Sequence, residues 1–295
     1  MLEIGIYGLL AKLTIAMKHK SSQNMAGNRR SVQKGTSAEF SDFREYMPGD
    51  DLRRLDWNVY ARSERMYIRE YLEEKQAVVS VLLDTSASMA YGKNKKADLA
   101  VDLVEILAFL ALNHMDRLML YDRKQMQCPL VVSGGKNAMP KVADWLKNRD
   151  FSGDEPEEDL FLSVQKMQKR GAGTTIIISD FFMEALIKED KTPLEKAMKY
   201  LEFAKQRPIL LQTLCDEELH VSMAGTRNLI DMETKEKLRV TMRADVIARY
   251  EEELQKLKQR LQKSAAAANG TYVLCDSGRE RTALIMEDLR ELYDI

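Results

Sequence analysis

The stretch VSVLLDTSASMAYG, residues 79–92, decides the fold because it joins an apolar strand to a cluster of oxygen-bearing side chains. A short, continuous apolar run is typical of a strand buried on both faces of a parallel sheet. The run stops at Asp84, and two hydroxyls follow at alternate positions, Ser86 and Ser88. Since every second side chain of extended backbone points the same way, these three groups are predicted to face one point.

The chain around this stretch predicts an α/β fold. From residue 76 onward, short β-branched or leucine-rich runs alternate with helical patterns, which is typical of βαβ units. The predicted strands are 77–83, 117–121, 129–132, 174–179, 209–214 and 271–275. The helix at about 95–114 is apolar on nearly every side, which predicts burial between layers, whereas the 244–268 helix carries a one-sided apolar stripe. Residues 228–240 predict a hairpin inserted near the C-terminus.

A second acid, Asp180, follows the predicted strand 174–179. In an open sheet of order 3-2-1-4-5-6, ligands bind beyond the carboxyl ends of the strands, between the first and the fourth, where the strand order reverses. If 77–83 is the first strand and 174–179 is the fourth, Asp84 and Asp180 meet in that crevice. We therefore predict a doubly wound, mainly parallel sheet with both acids at one edge.

The chemistry of this cluster points to a hard cation. Hydroxyl and carboxylate oxygens suit Mg²⁺, Mn²⁺ or Ca²⁺ rather than zinc or copper. A plainer alternative is that Asp84 and the serines only bind loop amides and cap the next helix. The position at the end of the first strand, together with Asp180, favours the ion site.

Composition limits the partners. The 45 Lys and Arg residues nearly balance 46 Asp and Glu residues, for a formal net charge of -1, so the whole chain has no general attraction for nucleic acid or anionic lipid. The loop predicted at 18–38 has a basic cluster but lacks the interleaved aromatic side chains that stack on bases, and we expect no nucleic-acid partner. Cys128, Cys215 and Cys275 form no CxxC pair, which favours a reducing compartment, and we interpret all three as core residues.

The N-terminal residues predict a helix docked on the body of the protein. Its apolar face comprises Leu2, Ile6, Leu9, Leu10, Leu13 and Met17. The apolar run is shorter than the roughly 20 residues of a membrane span, so we expect no integral membrane segment and a cytoplasmic location. The predicted organisation is an N-terminal helix and linker at 1–38, a β-rich charged extension packed on the core at 39–75, and the α/β domain at 76–295.

Two sets of residues resemble known families. LLDTSASM, residues 82–89, resembles the metal-ion-dependent adhesion site (MIDAS) of von Willebrand factor A domains. EFSDFREYMPGDDLRRLDWNVYARSERMYIREY, residues 39–71, with LLDTSASM and IIISDF, residues 176–181, resembles the bacterial family called domain of unknown function 58. This resemblance runs from about residue 20 to the C-terminus.

The resemblance implies a Rossmann-like von Willebrand A fold that holds Mg²⁺ or Mn²⁺ at Asp84, Ser86 and Ser88, with Asp180 in the supporting acid position. Such sites usually include a threonine before the helix that precedes the fourth strand, and Glu158 occupies that position here. Glu158 is a ligand that makes the metal more neutral, or its presence marks altered or lost ion binding.

The segment 39–71 is the other hallmark of the resemblance, and two interpretations of it stay open. Its charged residues are Arg44, Glu45, Asp50, Asp51, Arg53, Arg54, Asp56, Arg62, Arg65, Arg69 and Glu70. They form a docking surface, or they form a salt-bridged brace that aromatic residues pin to the sheet. The aromatic residues in question are Phe40, Phe43, Tyr46 and Trp57.

The motifs favour a binding module over an enzyme. The sequence has no G-x-S-x-G elbow, no obvious histidine base for a triad and no G-x-x-x-x-G-K-[ST] phosphate loop. A hydrolase using Mg²⁺ or Mn²⁺ with Asp84 and Asp180 is the remaining enzymatic alternative. The resemblance implies a non-enzymatic module that docks an acidic partner residue on its ion, as a partner or adaptor of a MoxR-type AAA+ ATPase or its client in a chaperone-like assembly.

Overall fold

The computed structural model describes residues 4–15, 39–72, 77–151, 160–167, 172–183, 186, 192–221, 225–230 and 237–294. The chain forms two compact units, one of residues 1–19 with 77–295 and one of residues 20–76. The N-terminal helix therefore belongs to the same unit as the α/β body.

Twelve strands are described, numbered in chain order. They are β1 (Thr14–Ile15), β2 (Glu39–Glu45), β3 (Tyr67–Leu72), β4 (Val78–Leu83), β5 (Arg117–Asp122), β6 (Leu130–Val132), β7 (Gly173–Ser179), β8 (Gln206–Leu214), β9 (Gly225–Ile230), β10 (Lys237–Met242), β11 (Thr271–Asp276) and β12 (Tyr293–Asp294).

Nine α-helices are described and are numbered in the same way. They are α1 (Ile4–Leu10), α2 (Trp57–Ser63), α3 (Lys96–Asn113), α4 (Met139–Lys147), α5 (Leu160–Lys166), α6 (Thr192–Phe203), α7 (Asp216–Leu219), α8 (Ala244–Ala267) and α9 (Arg281–Ala283). Short 3-10 turns lie at Leu52–Arg54, Ala87–Ala90, Arg123–Gln125, Lys136–Ala138 and Arg290–Leu292, and a π-turn at Leu284–Asp288.

The larger unit is built on a six-stranded sheet in the order β11-β8-β7-β4-β5-β6. The strands are parallel except for the antiparallel pair β5 and β6 at one edge. Counted from β4 as the first strand, this is the order 3-2-1-4-5-6, and the first strand pairs directly with the fourth, β7. The predicted α/β class and the predicted adjacency of these two strands are confirmed.

Helices cover both faces of this sheet because the side chains of β4 alternate between two apolar layers. Val79 and Val81 pack in the layer that contains Leu103 of α3. Leu82 packs in the opposite layer with Leu201 of α6 and Leu261 of α8. All six residues of β4 are buried, as its uninterrupted apolar run predicts.

Helix α3 is buried on 14 of its 18 residues, which confirms the predicted burial between layers. Helix α1 packs on it, with the rings of Tyr7 and Phe109 5.1 Å apart and the Tyr7 hydroxyl donating to Glu105. The predicted docking of the N-terminal helix is thus confirmed over Ile4–Leu10, while Leu2 and Met17 lie outside the described residues. Among the described helices, none is long and apolar enough to cross a membrane.

The one-sided stripe of α8 and the C-terminal hairpin are also confirmed. Leu254, Leu257, Leu261 and Ala265 of α8 are buried at a spacing of three or four residues. Strands β9 and β10 pair with each other as a separate antiparallel ribbon.

The prediction that all three cysteines are core residues was wrong for Cys128. Cys215 and Cys275 are buried, but Cys128 is exposed. Cys128 lies between the turn Arg123–Gln125 and the edge strand β6, and a short turn at the edge of a sheet has no second layer to cover it.

The described part of the smaller unit, residues 39–72, is a hairpin of β2 and β3 joined by a long connection, and it lies in the segment for which the sequence predicts a β-rich extension. Helix α2 in that connection was not predicted. Its N-cap is Asp56, whose carboxylate accepts hydrogen bonds from the backbone N–H groups of Asn58 (2.8 Å) and Val59 (3.1 Å). This is an ordinary N-cap. It provides an acceptor for backbone N–H groups that the first turn of a helix would otherwise leave without a hydrogen bond.

Candidate functional site at the carboxyl edge of the sheet

The structure brings Asp84 and Asp180 to the same edge. Leu83 of β4 is in register with Ile178 of β7, so the residues that follow both strands emerge side by side. The backbone N–H of Asp84 donates to the carbonyl of Ile178 at 2.9 Å, and the Ser179 hydroxyl donates to Asp84 Oδ2 at 2.6 Å. Both aspartates are almost fully buried, with 2% and 3% of their surfaces exposed.

The loop after β4 holds the two predicted hydroxyls together. The Ser86 and Ser88 Oγ atoms lie 3.1 Å apart. Asp84 Oδ1 accepts from the Ser86 N–H at 3.1 Å, so Asp84 binds a loop amide as the plainer interpretation predicts. The Ser86 hydroxyl, however, does not cap the turn Ala87–Ala90. The serines are therefore paired with each other rather than used as helix caps.

Arg123 is a member of this site that the sequence did not predict. Its Nη1 lies 3.2 Å from Asp84 Oδ1, and its side chain is only 5% exposed. Arg123 directly follows β5, the other neighbour of β4, so the rule that strand ends converge would have found it. The first acid of the predicted metal site, Asp84, is thus paired with an arginine side chain.

The adjoining acid, Asp122, ties the same loops together. The Thr85 hydroxyl donates to Asp122 Oδ1 at 2.7 Å, and the Lys124 N–H donates to the same oxygen at 2.9 Å. Arg149 donates to the other carboxylate oxygen. The β4 and β5 ends are therefore held by a connected hydrogen-bond network, which gives the site a defined shape.

Lys96 is the second missed residue and the partner of Asp180. Its Nζ lies 2.7 Å from Asp180 Oδ2 and 2.6 Å from Glu218 Oε1, with the lysine side chain 1% exposed. Glu218 Oε2 in turn accepts from the backbone N–H of Cys215 at 3.0 Å. Burial opposes protonation of Lys96, but the charges of Asp180 and Glu218 outweigh burial, so the pKa of Lys96 is raised. The buried ammonium joins α3 to the ends of β7 and β8.

The hydroxyls fit a divalent ion better than the acids do. Two neighbouring ligands of an octahedral Mg²⁺ at roughly 2.1 Å lie about 3 Å apart, which matches the separation of the Ser86 and Ser88 oxygens. Asp84 and Asp180 instead each accept from a cationic side chain. Among the described residues there is no cluster of three or more His, Cys, Asp or Glu side chains suited to a metal. Glu158 lies outside the described residues.

Comparison with known proteins gives a family match and distant relatives. The model of the family described as "Protein of unknown function DUF58" matches residues 42–260. The uncharacterized proteins Rv1480 of Mycobacterium tuberculosis and Mb1516 of Mycobacterium bovis are each 26% identical over 177 residues, which is 58% of this chain. The chain spans 56% of the length of these curated relatives.

Solved structures show weaker similarity. The conserved hypothetical protein BatB from Bacteroides thetaiotaomicron is 12% identical with a TM-score of 0.43, over 73% of this chain and 98% of that one. An aerotolerance-related membrane protein from Bacteroides fragilis is 12% identical with a TM-score of 0.44, over 73% of this chain and 99% of that one.

Proposed function

The chain belongs to the DUF58 family, and from this premise we propose that it is a non-enzymatic protein-interaction module with a von Willebrand A-like fold. Its docking site is the carboxyl edge between β4 and β7. There the Ser86 and Ser88 hydroxyls hold Mg²⁺ or Mn²⁺, with Asp84 and Asp180 in support, and an acidic residue of the partner completes the coordination. The partner class is a MoxR-type AAA+ ATPase or its client.

The single observation that carries this proposal is the 3.1 Å approach of the Ser86 and Ser88 oxygens directly after the central strand. Asp84 contributes by binding the Ser86 N–H, which orients the loop and therefore the hydroxyls. Strand order 3-2-1-4-5-6 supports the von Willebrand A-like assignment, because it puts this loop where the strand order reverses.

The charges at this edge of the sheet favour an ion whose binding depends on a partner's carboxylate. Among the described residues, the ion pairs of Asp84 with Arg123 and of Asp180 and Glu218 with Lys96 combine three carboxylates with two cations, for a formal charge of -1. Neutral hydroxyls on this background leave most of the charge of a divalent ion uncompensated. A partner's carboxylate supplies the missing charge, so ion and partner are expected to bind cooperatively.

The same pairing favours docking over the hydrolase alternative. A Mg²⁺- or Mn²⁺-dependent hydrolase would need Asp84 or Asp180 to bind the metal or to accept a proton from water. Both carboxylates accept from buried cations instead. Catalysis would therefore require at least one of the two acids to leave its present partner first.

Mn²⁺ binding tests the proposal through the electron paramagnetic resonance signal of the free ion. The wild type is expected to bind Mn²⁺ weakly alone and more tightly with a short peptide bearing one glutamate. Ser88→Ala removes one proposed ligand and is expected to weaken binding by at least roughly tenfold. Ser80→Ala, within β4 and away from its carboxyl end, should leave binding unchanged.

Two results would overturn the proposal. One is that the wild type binds neither Mn²⁺ nor Mg²⁺ even with the peptide present. The other is that Ser88→Ala binds the ion as tightly as Ser80→Ala does while both variants stay folded by circular dichroism.

A further inference from the structure

The connection between β2 and β3, residues 46–66, is a defined element rather than an open loop. At its base the Tyr46 N–H donates to the Met66 carbonyl at 2.9 Å. Closer to its middle, the Asp56 N–H donates to the Tyr67 carbonyl at 2.9 Å. The turn Leu52–Arg54 and helix α2 lie inside it. Its surface is therefore held in a fixed shape by its own backbone.

This connection exposes an unusual number of large apolar side chains. They are Met47 (66% exposed), Leu52 (56%), Trp57 (63%), Tyr60 (37%) and Met66 (43%). The Trp57 and Tyr60 rings are in edge-on contact with centroids 6.2 Å apart, so at least these two form one continuous patch. Single exposed apolar residues are ordinary, but a concentration of them in one short element marks an interaction site.

The exposed cations of this connection are all arginines. Arg53, Arg54, Arg62 and Arg65 are exposed on the same connection. Residues 39–72 contain no lysine, although the chain has 24. Interfaces between proteins are enriched in Trp, Tyr, Met and Arg and depleted in Lys. The composition of this surface is thus that of a protein interface rather than of ordinary solvated surface.

We infer that the 46–66 connection docks an acidic, amphipathic segment of a partner protein. Carboxylates of that segment pair with the arginines, and its apolar side chains cover Trp57 and Leu52. The exposed acids Asp51 and Glu64 reduce the net exposed charge of the connection to +2, which is small for attraction to an anionic membrane but compatible with discrete pairs between single arginines and single carboxylates. The inference goes beyond the proposed ion site, since this surface belongs to the other unit and needs no metal.

Fluorescence anisotropy tests the inference with two labelled peptides of about 20 residues. One repeats glutamate with leucine and phenylalanine at helical spacing, and the other has lysine in place of every glutamate. The acidic peptide is expected to bind the wild type without added metal, and to bind less tightly as salt is raised. Trp57→Ala and the double change Arg53→Glu with Arg54→Glu should each weaken that binding by roughly tenfold or more.

Matched controls come from α6 in the other unit. Phe203→Ala removes an aromatic side chain that is 88% exposed, and Lys196→Glu with Lys199→Glu reverses two exposed charges. Both should bind the peptide as the wild type does. Equal binding of the two peptides, no binding of either, or equal losses in the α6 variants would overturn the inference. So would tighter binding to phosphatidylglycerol vesicles than to the acidic peptide, because it would favour a membrane as the partner.

Discussion

At the scale of single residues, Lys96 shows how much position matters. Lys93, Lys95 and Lys96 form one basic run, yet Lys93 and Lys95 are exposed and Lys96 is buried between two carboxylates. The sequence pattern predicts only that a helix begins near these lysines. Which lysine turns inward depends on where the ends of β7 and β8 lie, and that information is distant in the sequence.

Lys96→Met is expected to destabilise the protein by about 3 kcal/mol, because it leaves the buried carboxylate of Asp180 without its cation. The free energy of unfolding in urea measures this. Lys95→Met, at an exposed neighbouring position, should change it by less than about 0.5 kcal/mol. A Lys96→Met protein as stable as the Lys95→Met protein would show that the bridge contributes nothing.

The same bridge has a defined pH dependence. Because the pKa of Lys96 is raised on folding, its stabilisation is complete below its unfolded pKa of about 10.4 and is lost only as pH rises through the higher folded pKa. The stability difference between wild type and Lys96→Met is therefore expected not to fall as pH rises from about 6 to about 9. A difference that shrinks as pH rises within that window would contradict the raised pKa.

At the scale of elements, the pairing of β4 with β7 positions the site. Gly173 of β7 is in register with Val78, and a Cβ atom at Gly173 would lie 2.2 Å from the Val78 carbonyl oxygen. Gly173→Ala should force the strands apart and cost about 2 kcal/mol or more in the free energy of unfolding.

Gly8→Ala is the matched control, because Gly8 lies in helix α1 with nothing within 4 Å of the new methyl group. Alanine there should stabilise by roughly 0.5–1 kcal/mol. Urea midpoints of the two variants give the comparison. If Gly173→Ala were as stable as Gly8→Ala, the two strands would not approach as closely as the register requires.

The sequence predicted poorly those elements that begin with polar residues or are too short to show an apolar period. Strand β8 was predicted as 209–214 but begins at Gln206, because Gln206, Arg207 and Pro208 break the apolar pattern. Gln206 is nonetheless buried, and its Oε1 accepts from the Thr175 hydroxyl at 3.0 Å. Helix α2 was missed because seven residues are too short for a periodic pattern, although Asp56 was available as a cap signal.

At the scale of the whole molecule, the reactivity of the three cysteine thiols measures local and global unfolding of the larger unit. Cys215 and Cys275 are buried, and burial raises the pKa of Cys275 and raises the pKa of Cys215 to about 12. Thiolate, not thiol, reacts with disulfide reagents. Of the three cysteines, only Cys128 is exposed and therefore accessible to such a reagent.

With Ellman's reagent, the native protein is therefore expected to show one fast thiol and two that react only on unfolding. The Cys128→Ser variant should lose the fast phase, and full denaturation should release every remaining thiol. A second fast thiol that disappears in Cys215→Ser would instead reveal local opening beside Glu218, at the candidate docking edge.

The sequence by itself determined the α/β class, the six main strands and the cluster of Asp84, Ser86 and Ser88 after the central one. Apolar periodicity is a local property, and the ends of parallel strands meet by a general rule of the fold. Only the tertiary structure decided that Asp84 pairs with Arg123, 39 residues away, and Asp180 with Lys96, 84 residues away. A buried charge is stable only beside its partner, and which partner reaches it depends on how distant loops converge at one edge of the sheet.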